Sequence, residues 1–280
     1  MKGKKFVFLG GLHRSGTSLL HELVREHPEV SGFGGTGVPE DEGQHLQSVY
    51  PAAKVFGGAG NFGFDARSFM DENHPLVSME TAERLYGEWA RYWDTTRDVL
   101  VEKSPPNLVR TRFLQALFPN SDFIVILRHP IAVSYATIKW NKTRVESLLE
   151  HSLICYERFL HDLDYLNRVY VLRYEDFVAN PTAFFADLLK FIGLPPIPLA
   201  KDVRANLNER YFRMWSRDTN EVMRGLALCR AAVKHERRAR VLGYSLYEPN
   251  TSYPVDFLGP HDTHSHPRFS LPAELGRDAL

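Results

Sequence analysis

Cysteine is scarce in this chain. There are two in 280 residues, Cys155 and Cys229, and no Cys-x-x-Cys pair. That excludes a disulfide framework and makes the reducing cytoplasm the simpler home. An excess of either charge is also missing, since 34 Lys and Arg balance 34 Asp and Glu. A protein that coats nucleic acid by bulk electrostatics carries a basic surplus, so that class is excluded. A local basic pocket for one small anion is not. No apolar run approaches the roughly 20 residues of a membrane helix. The basic start Met1-Lys2-Gly3-Lys4-Lys5 looks superficially like a signal peptide, but the apolar run behind it is broken by Gly10-Gly11 and stops at Leu12. It reads as a first strand, not an exported leader.

What is present is a chain with 44% apolar residues, enough for a sizeable core. Phe6-Val7-Phe8-Leu9, Val99-Leu100-Val101, Phe123 through Leu127 and residues 169–172 are short, continuously apolar runs that suit strands buried on both faces. Helical spacing separates them: residues 16–27, 79–93, 107–118 and 144–166. A further helix is expected after Asn180, with Pro181 at its first position and Gly193 at its C-terminal turn. Helical patterning then continues to Leu242. Strands alternating with helices predict an α/β fold, a parallel sheet flanked by helices on both faces, with a helical C-terminal part. Residues 31–75 are Gly-rich and aperiodic, with a short helix expected near 40–49. Residues 1–247 read as one domain and 248–280 as an irregular, Pro-rich tail.

The most informative segment is Gly10-Gly11-Leu12-His13-Arg14-Ser15-Gly16-Thr17-Ser18. A strand precedes it and a helix follows, so backbone N–H groups and the positive helix end converge on one point, as a phosphate or sulfate requires. The spacing Gly11-x4-Gly16 copies the nucleotide-triphosphatase loop, but Thr17 stands where that motif has lysine. The strand ending in Leu127 is followed by Arg128, not by a metal-holding Asp. The loop therefore reads as P-loop-like, built for an anion without a metal. Gly11, His13, Arg14, Ser15, Gly16, Thr17 and Ser18 are its candidate binding residues. Lys103 closes the second strand, where ligands gather in open α/β sheets. Arg128 ends a buried strand, where a guanidinium is expected to bind something.

In this form the loop resembles the 5′-phosphosulfate loop of the sulfotransferases that use 3′-phosphoadenosine 5′-phosphosulfate (PAPS). The Arg-Ser-Gly-Thr version is similar to tyrosylprotein and many bacterial members. Glu102-Lys103-Ser104-Pro105 resembles that family's Lys-Ser-Pro segment, and Val125-Ile126-Leu127-Arg128-His129-Pro130 its 3′-phosphate motif. Tyr174-Glu175-Asp176, then Pro181 and Phe191-Ile192-Gly193-Leu194, resembles its Tyr-Glu-Asp segment and the following helix. The resemblance covers about residues 6–194. It implies the sulfotransferase fold, PAPS as donor with PAP as product, and no metal requirement. It implies Arg14 and Lys103 as catalytic cations and Arg128 on the 3′-phosphate. The family's serine eight residues after that arginine is Ala136 here, so either Ser134 takes its place or no serine reaches the 3′-phosphate, and Ser134 is the expected partner. Tyr174 is a candidate for the adenine or a core residue.

The general base departs from the family. The histidine of small-molecule enzymes would fall at Pro105, and the glutamate of tyrosylprotein enzymes at Gly34-Gly35. Glu42 or Asp41 is the expected base, with His45 behind them. The expected acceptor is a hydroxylated small molecule, lipid or glycan, with protein tyrosine as the alternative. A kinase with a degenerate loop, or a nucleotide-binding module without catalysis, are the competing classes. No nucleic-acid partner is expected, and no oligomeric state is assigned. His261, His264 and His266 have a spacing that could suit zinc but read as part of the tail. Tyr211, Phe212 and Trp215 read as core or as a cap on the acceptor pocket.

Overall fold

The computed structural model describes residues 3–140 and 142–262. Six strands form one sheet in the order β2-β3-β1-β4-β5-β6. The strands are β1 Lys5–Gly11, β2 Val30–Gly32, β3 Val99–Lys103, β4 Ser121–Leu127, β5 Arg168–Arg173 and β6 Gly259–Asp262. The first five are mutually parallel; β6 runs antiparallel to β5, with Val169 opposite His261. The helices among the described residues are α1 Thr17–Arg25, α2 Met79–Trp89, α3 Thr111–Leu117, α4 Pro130–Thr137, α5 Val145–Leu163, α6 Tyr174–Ala179, α7 Pro181–Ile192, α8 Glu209–Thr219 and α9 Val222–Val241. None of them is long and apolar enough to cross a membrane.

The apolar strands alternate between two cores, as a pleated ribbon buried on both sides must. Phe6, Phe8, Leu100, Phe123 and Val125 face one core, closed by Trp89, Phe113 and Leu149 from α2, α3 and α5. Val7, Leu9, Val101, Ile124 and Ile126 face the other, against Leu20 and Leu23 of α1 and Leu188 and Leu189 of α7. The first core is aromatic: Phe6 lies 4.6 Å from Phe118 and Phe8 5.6 Å from Phe123, centroid to centroid. Trp89 donates its indole N–H to the Gly43 carbonyl at 2.9 Å. That bond ties the long segment between β2 and α2 to the core. The α7 end is as the sequence predicts: Gly193 sits at φ 87°, and the Leu194 N–H reaches the Leu189 carbonyl at 2.8 Å. Asn180 holds the N-cap position, but its side chain makes no capping bond.

Four sequence expectations change. The helix near 40–49 is instead two short 3₁₀ turns, 39–41 and 43–45, interrupted by left-handed Glu40 and Asp41 at φ 53° and 49°. Residues 105–109 form a 3₁₀ turn that ends at Arg110, whose φ of −136° lies outside the helical region, so α3 begins only at Thr111. The strand β2 is three residues long with a glycine, too short for a pattern to show. In the segment read as a tail, β6 has the sequence Gly-Pro-His-Asp, which carries no apolar alternation; its strand character comes from pairing with β5. His261 lies in β6, with Nε2 2.7 Å from the Phe257 carbonyl. His264 and His266 lie outside the described residues.

Gly10 leaves no room for a side chain in β1. A Cβ there would sit 2.9 Å from the backbone nitrogen of Leu108, which cannot move aside as a side-chain tip could. Gly10→Ala is expected to destabilise the fold by about 1–3 kcal/mol, read as a lower urea midpoint at unchanged slope.

Candidate active site

Loops after β1, β3, β4 and β5 meet at the carboxyl edge of the sheet. The strand order reverses at β1, which lies between β3 and β4, so the crevice at a topological switch point opens there. The loop after β1 turns tightly: Ser15 donates its N–H to the Leu12 carbonyl at 3.0 Å, Arg14 sits at φ 71° and Gly16 at φ 112°. A Cβ on Gly16 would lie 2.9 Å from the Tyr174 ring, so glycine lets the loop pack on that tyrosine. Thr17 and Ser18 open α1. The Ser15 hydroxyl and His13 Nδ1 are buried without a hydrogen-bond partner among the described residues. Unpaired buried polar atoms beside a helix start suit an anionic ligand such as a phosphosulfate.

Lys103 is the buried cation of the site, with 0% of its surface exposed. Its Nζ donates to the Glu40 carbonyl at 2.6 Å and lies 3.5 Å from both Glu42 Oε1 and Ser18 Oγ. Glu42 is itself buried, and its other oxygen accepts from Gln44 Nε2 at 2.5 Å, with His45 Nε2 3.7 Å away. Burial lowers the pKa of His45, as it does that of His13. Gln44 is anchored in turn: its N–H donates to Ser104 Oγ at 2.9 Å, and its Oε1 accepts from the Ala53 N–H at 2.8 Å. Ser104 donates to Glu102 Oε1 at 2.6 Å, and Asn107 donates to the other Glu102 oxygen at 2.5 Å. A buried polar chain thus runs from Glu102 through Ser104 and Gln44 to Glu42.

The other acids fall elsewhere. Asp41 accepts from the Thr36 hydroxyl at 2.6 Å and from the N–H groups of Thr36 and Gly35. Its carboxylate closes the 35–41 turn. Glu40 accepts from Ser18 Oγ at 3.1 Å. Of the three consecutive acids, Glu42 is the one brought beside Lys103 together with His45.

Arg128 anchors the opposite end. Its Nε and Nη2 donate to Asn208 Oδ1 at 2.9 and 2.7 Å, its Nη1 donates to the Arg14 carbonyl at 2.6 Å, and its guanidinium lies 4.0 Å over the Tyr174 ring. Asn208 donates to half-buried Glu175, which also accepts from the His129 N–H and the Tyr244 hydroxyl. Burial pushes the Glu175 carboxyl up, and these donors offset part of that. The Arg14 guanidinium is exposed and rests 4.8 Å over Trp140, on the outer rim of the loop. Ser134 Oγ donates to the Pro130 carbonyl at 2.8 Å, and the residue lines a small cavity with His13 and His151. Tyr211 lies 5.8 Å from the Arg128 guanidinium; Trp215 is buried and donates to the Leu246 carbonyl. Sequence reasoning gave no role to Gln44, Ser104 or Asn208. Gln44, two residues from the candidate base, and Ser104, inside the Lys-Ser-Pro segment, carried a local signal; Asn208 carried none.

A loop shaped for an anion, a buried lysine and a buried arginine at one sheet edge define an α/β protein with an anion-handling site. Residues 7–198 match the model of the sulfotransferase family, so the chain belongs to that family. It is 24% identical over 211 residues to protein-tyrosine sulfotransferase 2 of Gallus gallus, covering 69% of this chain and 52% of that protein. It is 26% identical over 236 residues to nodulation protein NoeE of Sinorhizobium fredii, covering 79% of this chain and 48% of that one. The chain thus spans about half the length of these curated relatives. Among solved structures, a sulfotransferase from Alicyclobacillus acidocaldarius aligns with a TM-score of 0.44 and 17% identity, over 80% of this chain and 95% of that one.

Burial raises the Glu102 carboxyl to about 7. The unfolded chain ionises this group near its ordinary pKa, so it holds fewer protons than the folded protein between about 4.5 and 7. Stability from this residue is therefore full below that window and lost as pH rises through it. Urea midpoints of wild type and Glu102→Gln across this range are expected to show the wild type losing more stability with rising pH; parallel curves would contradict the assignment.

Proposed function

We propose that the chain transfers a sulfuryl group from PAPS to an acceptor hydroxyl, without a metal. The observation that carries this is the placement of buried Lys103 against both the anion loop, through Ser18, and Glu42. A cation for the leaving oxygen and a base for the incoming hydroxyl share one site. Thr17 in the lysine position of the triphosphatase loop favours this reading over a kinase.

When bound, PAPS would supply the activated sulfuryl group. Residues 11–18 would hold its phosphosulfate through loop N–H groups and the hydroxyls of Ser15, Thr17 and Ser18. Arg128 would hold the 3′-phosphate, with Tyr174 beneath the guanidinium and available to the adenine. Lys103 acts on developing negative charge, where a buried cation has its largest effect. Glu42 takes the acceptor proton at Oε1 or Oε2, and Gln44 fixes its orientation. Arg14, on the rim, adds charge once its side chain turns inward from Trp140. His45 is the reserve base. The acceptor is a small molecule, lipid or glycan, and the two free thiols support a reducing, cytoplasmic setting.

Calorimetry with PAP and with ATP, each with and without Mg²⁺, tests the donor. Metal-independent PAP binding with ATP ignored is expected; Mg²⁺-dependent ATP binding would overturn the reading. In the same assay Arg128→Ala is expected to weaken PAP binding by roughly 1.5–3 kcal/mol. Unchanged affinity would remove Arg128 from the 3′-phosphate. Glu42→Gln keeps the side-chain shape but cannot take a proton. With labelled PAPS it is expected to lower turnover by about 10²–10⁴, while Asp41→Asn stays close to wild type.

A further inference from the structure

Beside the site, the carboxyl edge of the sheet carries an exposed surface that sulfuryl transfer as proposed does not use. Two segments build it. The first is the outer face of α9. Val222, Leu226, Cys229 and Val233 recur at spacings of four, three and four residues, so they line one stripe of the helix, with Met223 beside it. All five are exposed, Val222 to 90% and Met223 to 85%. The inner flank of the same helix, with Gly225, Leu228, Ala232 and His235, is buried. The core therefore has no use for the stripe, and apolar groups gathered in the open mark a contact surface. The second segment is the connection between α4 and α5, where Ile138 and Trp140 are exposed, the tryptophan to 52%.

The two segments stand together. The Tyr135 hydroxyl of α4 donates to Asp218 Oδ2 at the end of α8, 3.0 Å away. One turn further on, the two stretches of chain reach Ile138 and Val222. Arg14 of the anion loop rests 4.8 Å over Trp140, which puts the connection on the rim of the site. From that rim α5 runs back toward the amino end of β5. α9 runs beside it in the same sense: Lys234 meets Glu150 at 2.9 Å and, further along both helices, Arg238 meets Glu157 at 2.6 Å. Val222 lies twelve residues before Lys234, whereas Val145 lies five before Glu150. At about 1.5 Å per residue, the apolar start of α9 projects about 10 Å past the start of α5, on the side of the molecule where the site opens.

Charge narrows the partner. Segments 138–144 and 222–234 hold six cations, Lys139, Lys142, Arg144, Arg224, Arg230 and Lys234, and no Asp or Glu. The chain as a whole is neutral, so the excess is local. Glu221 and Glu150, from outside these segments, approach Arg224 and Lys234. Exposed aliphatic side chains, a tryptophan and flanking cations suit an anionic lipid surface, where apolar groups enter the headgroup boundary and Lys and Arg meet lipid phosphates. A nucleic acid would leave the aliphatic stripe unused. A second copy in a two-fold contact would lay this cationic face on itself. α9 is not long and apolar enough to cross a bilayer, so it would lie on one.

We propose that the 138–144 connection and the outer face of α9 form a docking surface for an anionic membrane, with Trp140, Val222, Met223 and Leu226 entering the headgroup layer. Because Trp140 lies under Arg14, docking brings the rim of the anion loop to the bilayer. The membrane contact goes beyond the sulfuryl-transfer reading and does not depend on it.

The test floats the full chain with vesicles of phosphatidylcholine alone and with vesicles of equal parts phosphatidylcholine and phosphatidylglycerol. Binding to the anionic vesicles, weakened by added salt, is expected, with little to the neutral ones. Trp89, Trp93 and Trp215 are buried. A blue shift of tryptophan emission on binding therefore reports Trp140, and Trp140→Phe is expected to abolish it. Met223→Ser combined with Leu226→Ser keeps every charge and alters only exposed positions. This double variant is expected to retain the wild-type urea midpoint and to lose at least about tenfold in vesicle affinity. Anionic vesicles that bind no protein overturn the inference. So does unchanged affinity in the double variant, which reduces the binding to adsorption by charge alone. A dimer in vesicle-free sedimentation that the same variant dissociates assigns the face to a second copy and overturns it as well.

Discussion

A lysine with no exposed surface at the end of β3 is the constraint around which the site is arranged. An ammonium taken out of water must be given oxygen partners, or it loses its charge. Lys103 receives the Glu40 carbonyl and the Glu42 carboxylate. Both come from one short stretch, which can present them only by passing through two consecutive left-handed residues. Such backbone is costly for residues other than glycine and persists where the surroundings over-determine it. Here they do: Asp41 closes the turn from one side, while Gln44 and the Gly43 carbonyl are held from the other by Ser104 and Trp89. The pair at Lys103 thus explains the odd conformation of the whole segment.

The second charged centre, at Arg128, follows a different logic. Its guanidinium lies over the Tyr174 ring, while two of its nitrogens share the Asn208 amide oxygen. Asn208 precedes α8, so its amide couples that helix to the sheet edge. Its other donor goes to Glu175, whose carboxylate also collects Tyr244 from beyond α9 and the His129 backbone. The helical third of the chain is therefore more than a lid on the core. It supplies the hydrogen bonds that aim the arginine.

How much of this could be read from the sequence depends on where each interaction lives. The parallel sheet was legible because strands buried on both faces must be continuously apolar, and Phe123 through Leu127 are. The anion loop was legible because its geometry needs glycine at Gly11 and Gly16 and a strand and helix around them. Lys103 and Arg128 stood out as cations at the ends of apolar strands. The 39–45 segment was not legible as turns, since three acids before Gly43 look like an ordinary helix start and nothing local reports that Glu40 and Asp41 are left-handed. Nor could the sequence choose between Glu42 and Asp41. That choice rests on Thr36 and Gly35 engaging one carboxylate and on Gln44 and Lys103 approaching the other. Asn208 lies 80 residues from its arginine, and no pattern spans that distance.

The short strand β6 has a meaning beyond its place in the sheet. Without it, β5 would present an open row of amides and carbonyls along a strand rich in Val, Tyr and Leu, a ready template for another chain. Gly259–Asp262 occupies that row in the antiparallel sense, and Arg168 clasps Asp262 at 2.7 Å to hold the cover in place. The covering strand is itself a poor template, being four residues long with a proline in it. A segment that contributes little to either core thus keeps the sheet from growing. The resistance of that edge to pairing with another chain, as distinct from the stability or chemistry of the fold, rests in part on four residues with no apolar side chain but a proline ring.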